Sequence, residues 1–231
     1  MNDNEYQTMY EVENTHFWYK GMQEISKIVL DKYISKKNQY KILDAGCGTG
    51  GNMSFLRGYG HVRGIDISSQ AIQFCKRRGL RNICIGSIDH IPFSSNSFDI
   101  VTCFDVLGQK DVSNDLIAVQ EFYRVLKPGG ILLIRVAAYA GLYSYHDIAV
   151  HTERRYDAKT LIELLKKGNF QIKKITYANT FFFPIIALFR LFYRFFSQKD
   201  TYNSDVRKIN SLLNKILYYP LWIESKIIKH I

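Results

Sequence analysis

Residues 42–51, ILDAGCGTGG, decide the reading of the whole chain. An apolar run ends at an acid and then breaks into Gly46, Gly48, Gly50 and Gly51, with a helix expected to restart at Asn52 and run to Leu56. Glycines permit a tight turn and let backbone N–H groups approach a ligand closely, while the helix N-terminus that follows favours negative charge. The segment reads as a cofactor cradle. Gly46, Gly48 and Gly51 also satisfy G-x-G-x-x-G, and Asp66 stands where a ribose-binding acid belongs, so a nicotinamide enzyme is a competing reading. Asp44 weighs against it. In dinucleotide folds the position two before the first glycine is apolar, because the strand is still buried there and a pyrophosphate would repel a carboxylate. An acid at that point suits a ligand with a cationic amino-acid portion and no phosphate.

Outward from this loop, strands and helices alternate. HVRGIDIS is a strand that ends at Asp66, and residues 68–78 form a helix capped by Ser68 and ended before Gly79. NICIGSI and FDIVTCFDVL are further strands, 114–126 is a helix, and ILLIRVAA is a strand after the turn Lys127-Pro128-Gly129-Gly130. A helix over 157–167 stopped by Gly168 and a strand FQIKKITYA complete the pattern, while residues 5–35 read as helical around Phe17, Trp18 and Tyr19. This rhythm predicts an α/β fold with a doubly wound, mostly parallel sheet. Residues 1–180 form one domain with an N-terminal helical lid, and 181–231 form a basic, aromatic helical appendage.

Composition narrows the class. A chain of 231 residues with 47% apolar content can bury a real core, which excludes disorder over most of its length. Cys47, Cys75, Cys84 and Cys103 form no C-x-x-C pair, so neither a zinc knuckle nor a disulfide framework is expected and a reducing, cytoplasmic setting is the simpler reading. The N-terminal stretch lacks the apolar core of a signal peptide, and no apolar run approaches the ~20 residues that span a bilayer. The net charge of +10 is uneven: residues 1–149 hold 16 Lys and Arg against 15 Asp and Glu, and 150–231 hold 15 against 6.

The string D-A-G-C-G-T-G resembles motif I of the class I S-adenosylmethionine-dependent methyltransferases. The resemblance continues through Asp66 after GID, through GSIDHIPFSSNSFDIVTCFDVL and through EFYRVLKPGGILLI, covering roughly residues 40–178. It implies a Rossmann-like methyltransferase fold with S-adenosylmethionine as cofactor. Gly46, Cys47, Gly48 and Gly50 would form the turn under the methionine portion, with Asp44 near its ammonium. Asp66, followed by Ile67, would take the ribose hydroxyls, since a carboxylate accepts several hydrogen bonds. Ser87 and Ile88 fall at the adenine, and Phe104 closes over the sulfonium end. Similar members carry Asp at the position of Ser87 and Glu-His at Gly108-Gln109, and family members finish with an antiparallel strand not evident here before Ile231.

A hydroxyl acceptor of a methyl group needs a base. The loop after the fifth strand, YAGLYSYHDIAVHTERRYD, concentrates His146, Asp147, His151, Arg154, Arg155 and Tyr156. His146 is the candidate general base, because imidazole is neutral near cytoplasmic pH, with Asp147 or His151 orienting it. Arg154 and Arg155 would hold an anionic group of the acceptor, beside Tyr156. The competing reading is that these side chains brace the loop, the arginines pairing with Glu153 and Asp157. No metal is expected, since H-D-x-x-x-H lacks the helical pair of a zinc site. A similar H-D, H-x-R-R-Y string occurs in a bacterial and archaeal methyltransferase subfamily that also begins with a segment like His16-Phe17-Trp18, often among sugar and cell-surface glycan functions. Trp18 would then belong to a lid over cofactor or acceptor, or to an ordinary hydrophobic staple.

Residues 181–196 are apolar apart from Arg190 and Arg194, and 206–219 place Ile209, Leu212, Leu213, Ile216 and Leu217 on one stripe with Lys208 and Lys215 outside it. Such helices fit a peripheral membrane contact, a flap on the sheet or a homodimer seam. The leading expectation is an enzyme that methylates an oxygen of a small-molecule, sugar or lipid-linked acceptor. Two alternatives stand beside it: a binding or scaffold protein on a methyltransferase fold, and a nucleic-acid methyltransferase using the basic half as a phosphate track. Nucleic acid is not the expected partner, because the basic region interleaves its charge with long apolar runs and no N-P-P-Y-type motif is present.

Overall fold

The computed structural model describes residues 3–35, 39–196 and 206–230. Strands β1 (Tyr40–Ala45), β2 (Gly60–Asp66), β3 (Ile83–Ile85), β4 (Phe98–Phe104) and β5 (Leu126–Arg135) form one sheet in the order β3-β2-β1-β4-β5. Every pair is parallel. Along β1 the side chains alternate between two cores. Ile42 joins Ile100 in a layer with Leu30 of helix α2 (Phe17–Asp31), Met53 and Leu56 of α3 (Gly51–Leu56) and Ile72 and Cys75 of α4 (Ser69–Arg77). Leu43 and Ala45 join Val101 and Cys103 against α5 (Asp115–Val125) and α7 (Ala158–Lys167) on the other face. Burial on both faces is why these strands read as continuous apolar runs.

Strand order reverses between β1 and β4, and the crevice beyond the carboxyl ends of strands at such a switch point is where open α/β sheets bind ligands. Local signals fix the surrounding helices. Ser68 accepts from Ala71 N at 3.3 Å, Asn114 Oδ1 accepts from Leu116 N at 2.9 Å, and Asp157 accepts from Thr160 N at 2.7 Å, each capping the helix the sequence starts there. The Lys-Pro-Gly-Gly turn is absorbed into β5 as an irregularity: Phe98 pairs with Leu126, and pairing resumes at Ile100 with Ile131.

Two expected elements differ. The helix read over 5–35 is two helices, α1 (Asp3–Val12) and α2, separated at His16, whose extended backbone (φ −66°, ψ 135°) lets its ring accept from Trp18 N at 3.3 Å. Asn214 of the last helix, α9 (Ser211–His230), completes the break by accepting from Phe17 N and donating to Thr15 O, both at 2.6 Å. A cap supplied from the far end of the chain is invisible to local periodicity. The strand read at FQIKKITYA is irregular backbone. Its alternation is used, since Phe170 and Ile172 pack on the core, but its polar atoms go to the turn after α2 and to α9 (Ser211–His230): Lys173 O accepts from Tyr33 Oη at 3.3 Å, and Lys174 Nζ donates to Ile228 O at 2.9 Å.

Of the appendage, α8 (Phe183–Phe196) and α9 lie within the described residues, apart from the side chain of Arg194. Leu221 and Ile228 of α9 share a core with Met22 and Ile25 of α2. No described helix is long and apolar enough to cross a membrane. The α2–α9 contact depends on a missing side chain, because a Cβ on Gly21 would sit 2.3 Å from Leu221 Cδ1 and 2.6 Å from its Cβ. Gly21→Val should therefore overpack this seam and lower unfolding stability by about 2 kcal/mol in urea titration. An unchanged midpoint would mean that α9 does not dock there.

Candidate functional site

The crevice is built from the carboxyl ends of β1, β2 and β4. Asp44 is buried, and its Oδ1 accepts from Thr102 Oγ1 of β4 at 2.8 Å, tying the two switch-point strands together. Its Oδ2 is shut away from solvent without a hydrogen-bond partner. Burial, with some repulsion from Asp66, pushes this carboxyl up to about 7 against the opposing Thr102 bond. Beyond it the chain turns through Gly46 (φ +80°), Gly48 (φ +54°) and Gly50 (φ +89°), conformations that L side chains rarely adopt. Asp66 braces the turn: Oδ2 accepts from Gly48 N at 2.8 Å and Oδ1 from Ser68 N at 2.9 Å. A carboxylate has about four lone-pair sites, so Asp66 keeps capacity for two hydroxyl donors.

The other expected cofactor residues surround this turn in different ways. Ile67 is half exposed at the rim, Ile88 is buried in the core, and Ser87 donates a short hydrogen bond to Asp89, which also accepts from Ser113 Oγ at 2.6 Å. The sulfur of Cys47 lies 4.0 Å from that of Cys75, and this contact together with burial pushes the Cys47 thiol far above its ordinary range, which keeps it a protonated, inert group. Phe104 ends β4 with its ring under the Arg135 guanidinium, 4.9 Å away.

Helix α1 lies across the glycine turn as a latch that local motifs do not announce. A Cβ at Gly48 would meet Met9 Cε at 2.9 Å, and Glu13 takes the space over Gly51. Glu13 Oε1 accepts from Thr49 Oγ1 in a short contact and from Arg78 Nη2 at 2.7 Å. The same Arg78 donates to Thr49 O at 2.8 Å and Tyr10 O at 2.7 Å and stacks on the Tyr10 ring. Burial holds the Glu13 carboxyl above its ordinary value despite these donors. Glu13 stands in a polar stretch without a motif, and only its position beside the glycine loop in space reveals it.

On the opposite wall Arg135, at the end of β5, is gripped by Asp105 through Nε and Nη2 at 2.9 and 2.7 Å and lies between the rings of Phe104 and Trp18, the latter 5.6 Å away. Arg135 is the residue of this wall that sequence reasoning missed, whereas Asp105 could be read from the sequence either as a strand-end cap or as a ligand contact. Beyond β5 the loop makes a 3-10 turn at Ala140–Leu142 and a short helix, α6 (Tyr145–Ala149), that carries His146 half-buried and Asp147 at 1% exposure. Asp147 Oδ2 accepts from Ser144 N at 2.8 Å, and Oδ1 lies 2.9 and 2.8 Å from Nε and Nη2 of Arg155. His151 follows in a left-handed turn (φ 58°), and burial holds its imidazole below the ordinary value.

The Arg-Arg-Tyr string turns inward. Arg154 donates to Val112 O at 2.8 Å and to Gln109 O at 3.2 Å and pairs with Asp115 at 2.8 Å. Arg155 donates to Ala138 O at 2.6 Å, and Tyr156 is buried in the core with its hydroxyl on Asp115. These bonds tie the acceptor loop to the loop after β4. They also explain Gly108: its carbonyl accepts from Arg154 N at 2.9 Å, and a Cβ there would lie 2.2 Å from Arg154 O, so the Glu of the usual Glu-His pair has no room. Removing Arg155 would strip the buried Asp147 charge of its main counter-ion. Arg155→Met should cost about 3 kcal/mol of stability by chemical denaturation, and a loss under about 1 kcal/mol would show that the pair does not hold the loop.

Comparisons with known proteins agree with this geometry. Residues 43–134 match the family described as methyltransferase domain. The chain is 32% identical over 163 residues to an uncharacterised protein of Methanocaldococcus jannaschii, covering 70% of this chain and 66% of that one. It is 35% identical over 105 residues to the malonyl-[acyl-carrier protein] O-methyltransferase of Yersinia pestis, covering 45% and 39%. The chain thus spans about 40% to two thirds of the length of these relatives. A crystal structure of an S-adenosylmethionine-dependent methyltransferase from Mesorhizobium loti superposes with a TM-score of 0.55 at 16% identity, over 69% of this chain and 89% of that one, a likeness of fold. With the glycine turn, Asp44 and Asp66 at a parallel-sheet switch point inside the matched span, residues 43–134 are a methyltransferase domain of the class I S-adenosylmethionine-dependent family.

Proposed function

We propose that this chain transfers a methyl group from S-adenosylmethionine to an oxygen of a small-molecule, sugar or lipid-linked acceptor. The observation that carries the reading is the buried Asp44 Oδ2 without a hydrogen-bond partner, at the place where the cofactor's ammonium would supply one. A buried carboxylate oxygen left without a donor is costly, and a cationic amine both satisfies it and favours its ionised form. Asp66 would accept from the ribose hydroxyls, the turn through Gly46, Cys47, Gly48 and Gly50 would admit the methionine portion, and Ser87 and Ile88 would flank the adenine. Bound there, S-adenosylmethionine supplies an electrophilic methyl group on a sulfonium.

The protein's own task is to place the acceptor in line and exclude water. Phe104 and Trp18 would wall the reacting centre, and the Asp105-held Arg135 cation between them would steady an oxygen nucleophile. His146 would receive the acceptor's proton at a ring nitrogen, with His151 the second imidazole of the same loop. Asp147, Arg154, Arg155 and Tyr156 act as positioning residues, since their polar atoms hold the loop in place. The relative from Yersinia pestis, named as an O-methyltransferase, supports the choice of oxygen.

Two measurements test the assignment. Asp66→Ala should weaken calorimetric binding of S-adenosylhomocysteine by roughly 2 kcal/mol, the scale of lost charge-assisted hydrogen bonds, and unchanged affinity would remove Asp66 from the site. In extract supplied with methyl-labelled S-adenosylmethionine, the protein should label an acceptor, and His146→Ala should slow that labelling by ~10² or more while cofactor affinity holds within about twofold. Undiminished labelling would exclude His146 as the base, and a failure of the wild type to label any extract or glycan fraction would count against the enzyme reading.

A further inference from the structure

Helix α9 buries one face and leaves the other bare, and the described side chains of α8 are half-buried on one face and exposed on the other. In α9 the inner face places Leu221, Ser225 and Ile228 against α2, while Leu212, Ile216, Tyr219 and Ile223, spaced i, i+4, i+7, i+11, lie on one outer stripe. Leu212 is 72% exposed and Tyr219 61%. In α8 the same pattern leaves Ile185 at 67% and Leu188 at 70% exposure. Stripes of this kind mark a contact surface rather than scattered surface residues.

Charge says what kind of contact. Lys215, Lys226 and Lys229 flank the α9 stripe and are exposed. Lys226 lies over the Trp222 ring at 5.3 Å and within 3.7 Å of Glu24. Among the described residues of 206–230 the one acid, Glu224, is 4% exposed and turned inward to accept from Thr180 N at 2.8 Å. An apolar stripe rimmed by lysines and aromatics, with no exposed acid among the described residues of its own helix, is complementary to an anionic headgroup layer even though Glu24 lies beside Lys226. It opposes a second copy of the same stripe, which would bring like charges together. We propose that the outer stripes of α8 and α9 seat this protein on an anionic lipid surface. Arg190 connects that surface to the acceptor side, since its Nη1 donates to Leu142 O at 3.1 Å and lies 3.6 Å from Asp147. A chain so seated holds the loop carrying His146 against the lipid boundary, where the lipid-linked member of the proposed acceptor class would be presented. This last step rests on the methyl-transfer reading; the seating does not.

The test is cosedimentation of the full chain with vesicles of phosphatidylcholine alone and of phosphatidylcholine mixed with phosphatidylglycerol. The wild type should pellet with the mixed vesicles and remain in solution with the neutral ones. Replacing Lys215, Lys226 and Lys229 together with glutamine should weaken partitioning about a hundredfold, near fivefold for each lysine. Leu212→Glu with Ile216→Glu should abolish partitioning while the melting temperature is unchanged, because both positions are exposed. The proposal is overturned if the wild type ignores the mixed vesicles, pellets equally with neutral ones, or keeps its affinity in either variant. A vesicle-free dimer that the Leu212→Glu, Ile216→Glu variant dissociates would assign the stripe to self-association instead. Calorimetry with S-adenosylhomocysteine on the same samples reads the cofactor site independently, so failure on vesicles is distinguishable from failure of the methyltransferase reading.

Discussion

At the end of β1 the Asp44 carboxylate accepts one hydrogen bond from Thr102 and is otherwise enclosed, which holds it near half-ionisation at neutral pH. A carboxyl raised in the fold binds protons more readily there than in the unfolded chain. The fold therefore loses stability from this group as pH rises from the ordinary carboxylate range through 7. In the proposed reading a ligand relieves this liability, and the neighbouring features would serve that ligand. Thr102 joins the strands on either side of the switch point, the glycine turn opens backbone beside the carboxylate, and Asp66 fixes the turn in shape. Functional sites are where local rules give way in this fashion.

Around that centre the N-terminal helices and the loop after β5 flank the crevice, and α9 braces α2 from behind. Helix α1 and the turn that follows it press Met9 and Glu13 onto the glycine turn, with Arg78 drawing Glu13, Thr49 and Tyr10 into one network. Helix α2 brings Trp18 over Arg135 and is itself clasped by α9 through Gly21 and Asn214. The acceptor loop is fixed by the buried Asp147–Arg155 pair and by Arg154 reaching the loop after β4. Trp18, Arg135 and His146 are thus carried by elements whose own bonds are satisfied within the protein, the condition for holding a substrate in a defined geometry.

Much of this was legible in the residues. Periodicity and turn chemistry located all five strands and the helices after β2, β4 and the acceptor loop, because each carries its own cap or glycine stop. The glycine turn braced by Asp66, with Asp44 at the end of β1, was readable because positive-φ glycines and strand-end acids show themselves by residue type and spacing. What escaped were long-range features. His16 ends one helix and starts another with help from Asn214, and FQIKKITYA alternates like a strand but finds its partners outside the sheet. The Arg-Arg-Tyr string looked like acceptor chemistry because charge density alone does not say which way a guanidinium points. Glu13 and Arg135 carried no sequence signal, since each is defined by what lies opposite it in space.

The proposed role of Asp44, a partly protonated carboxyl that a cationic amine would draw into its ionised form, is directly measurable. Calorimetric titration of S-adenosylhomocysteine at pH 7 in buffers of different ionisation enthalpy counts the protons exchanged on binding. A group with a pKa of about 7 should release about half a proton as the ammonium draws it into its ionised form, and Asp44→Asn should remove that release. Binding with no proton release in the wild type, or with the same release in Asp44→Asn, would contradict the account.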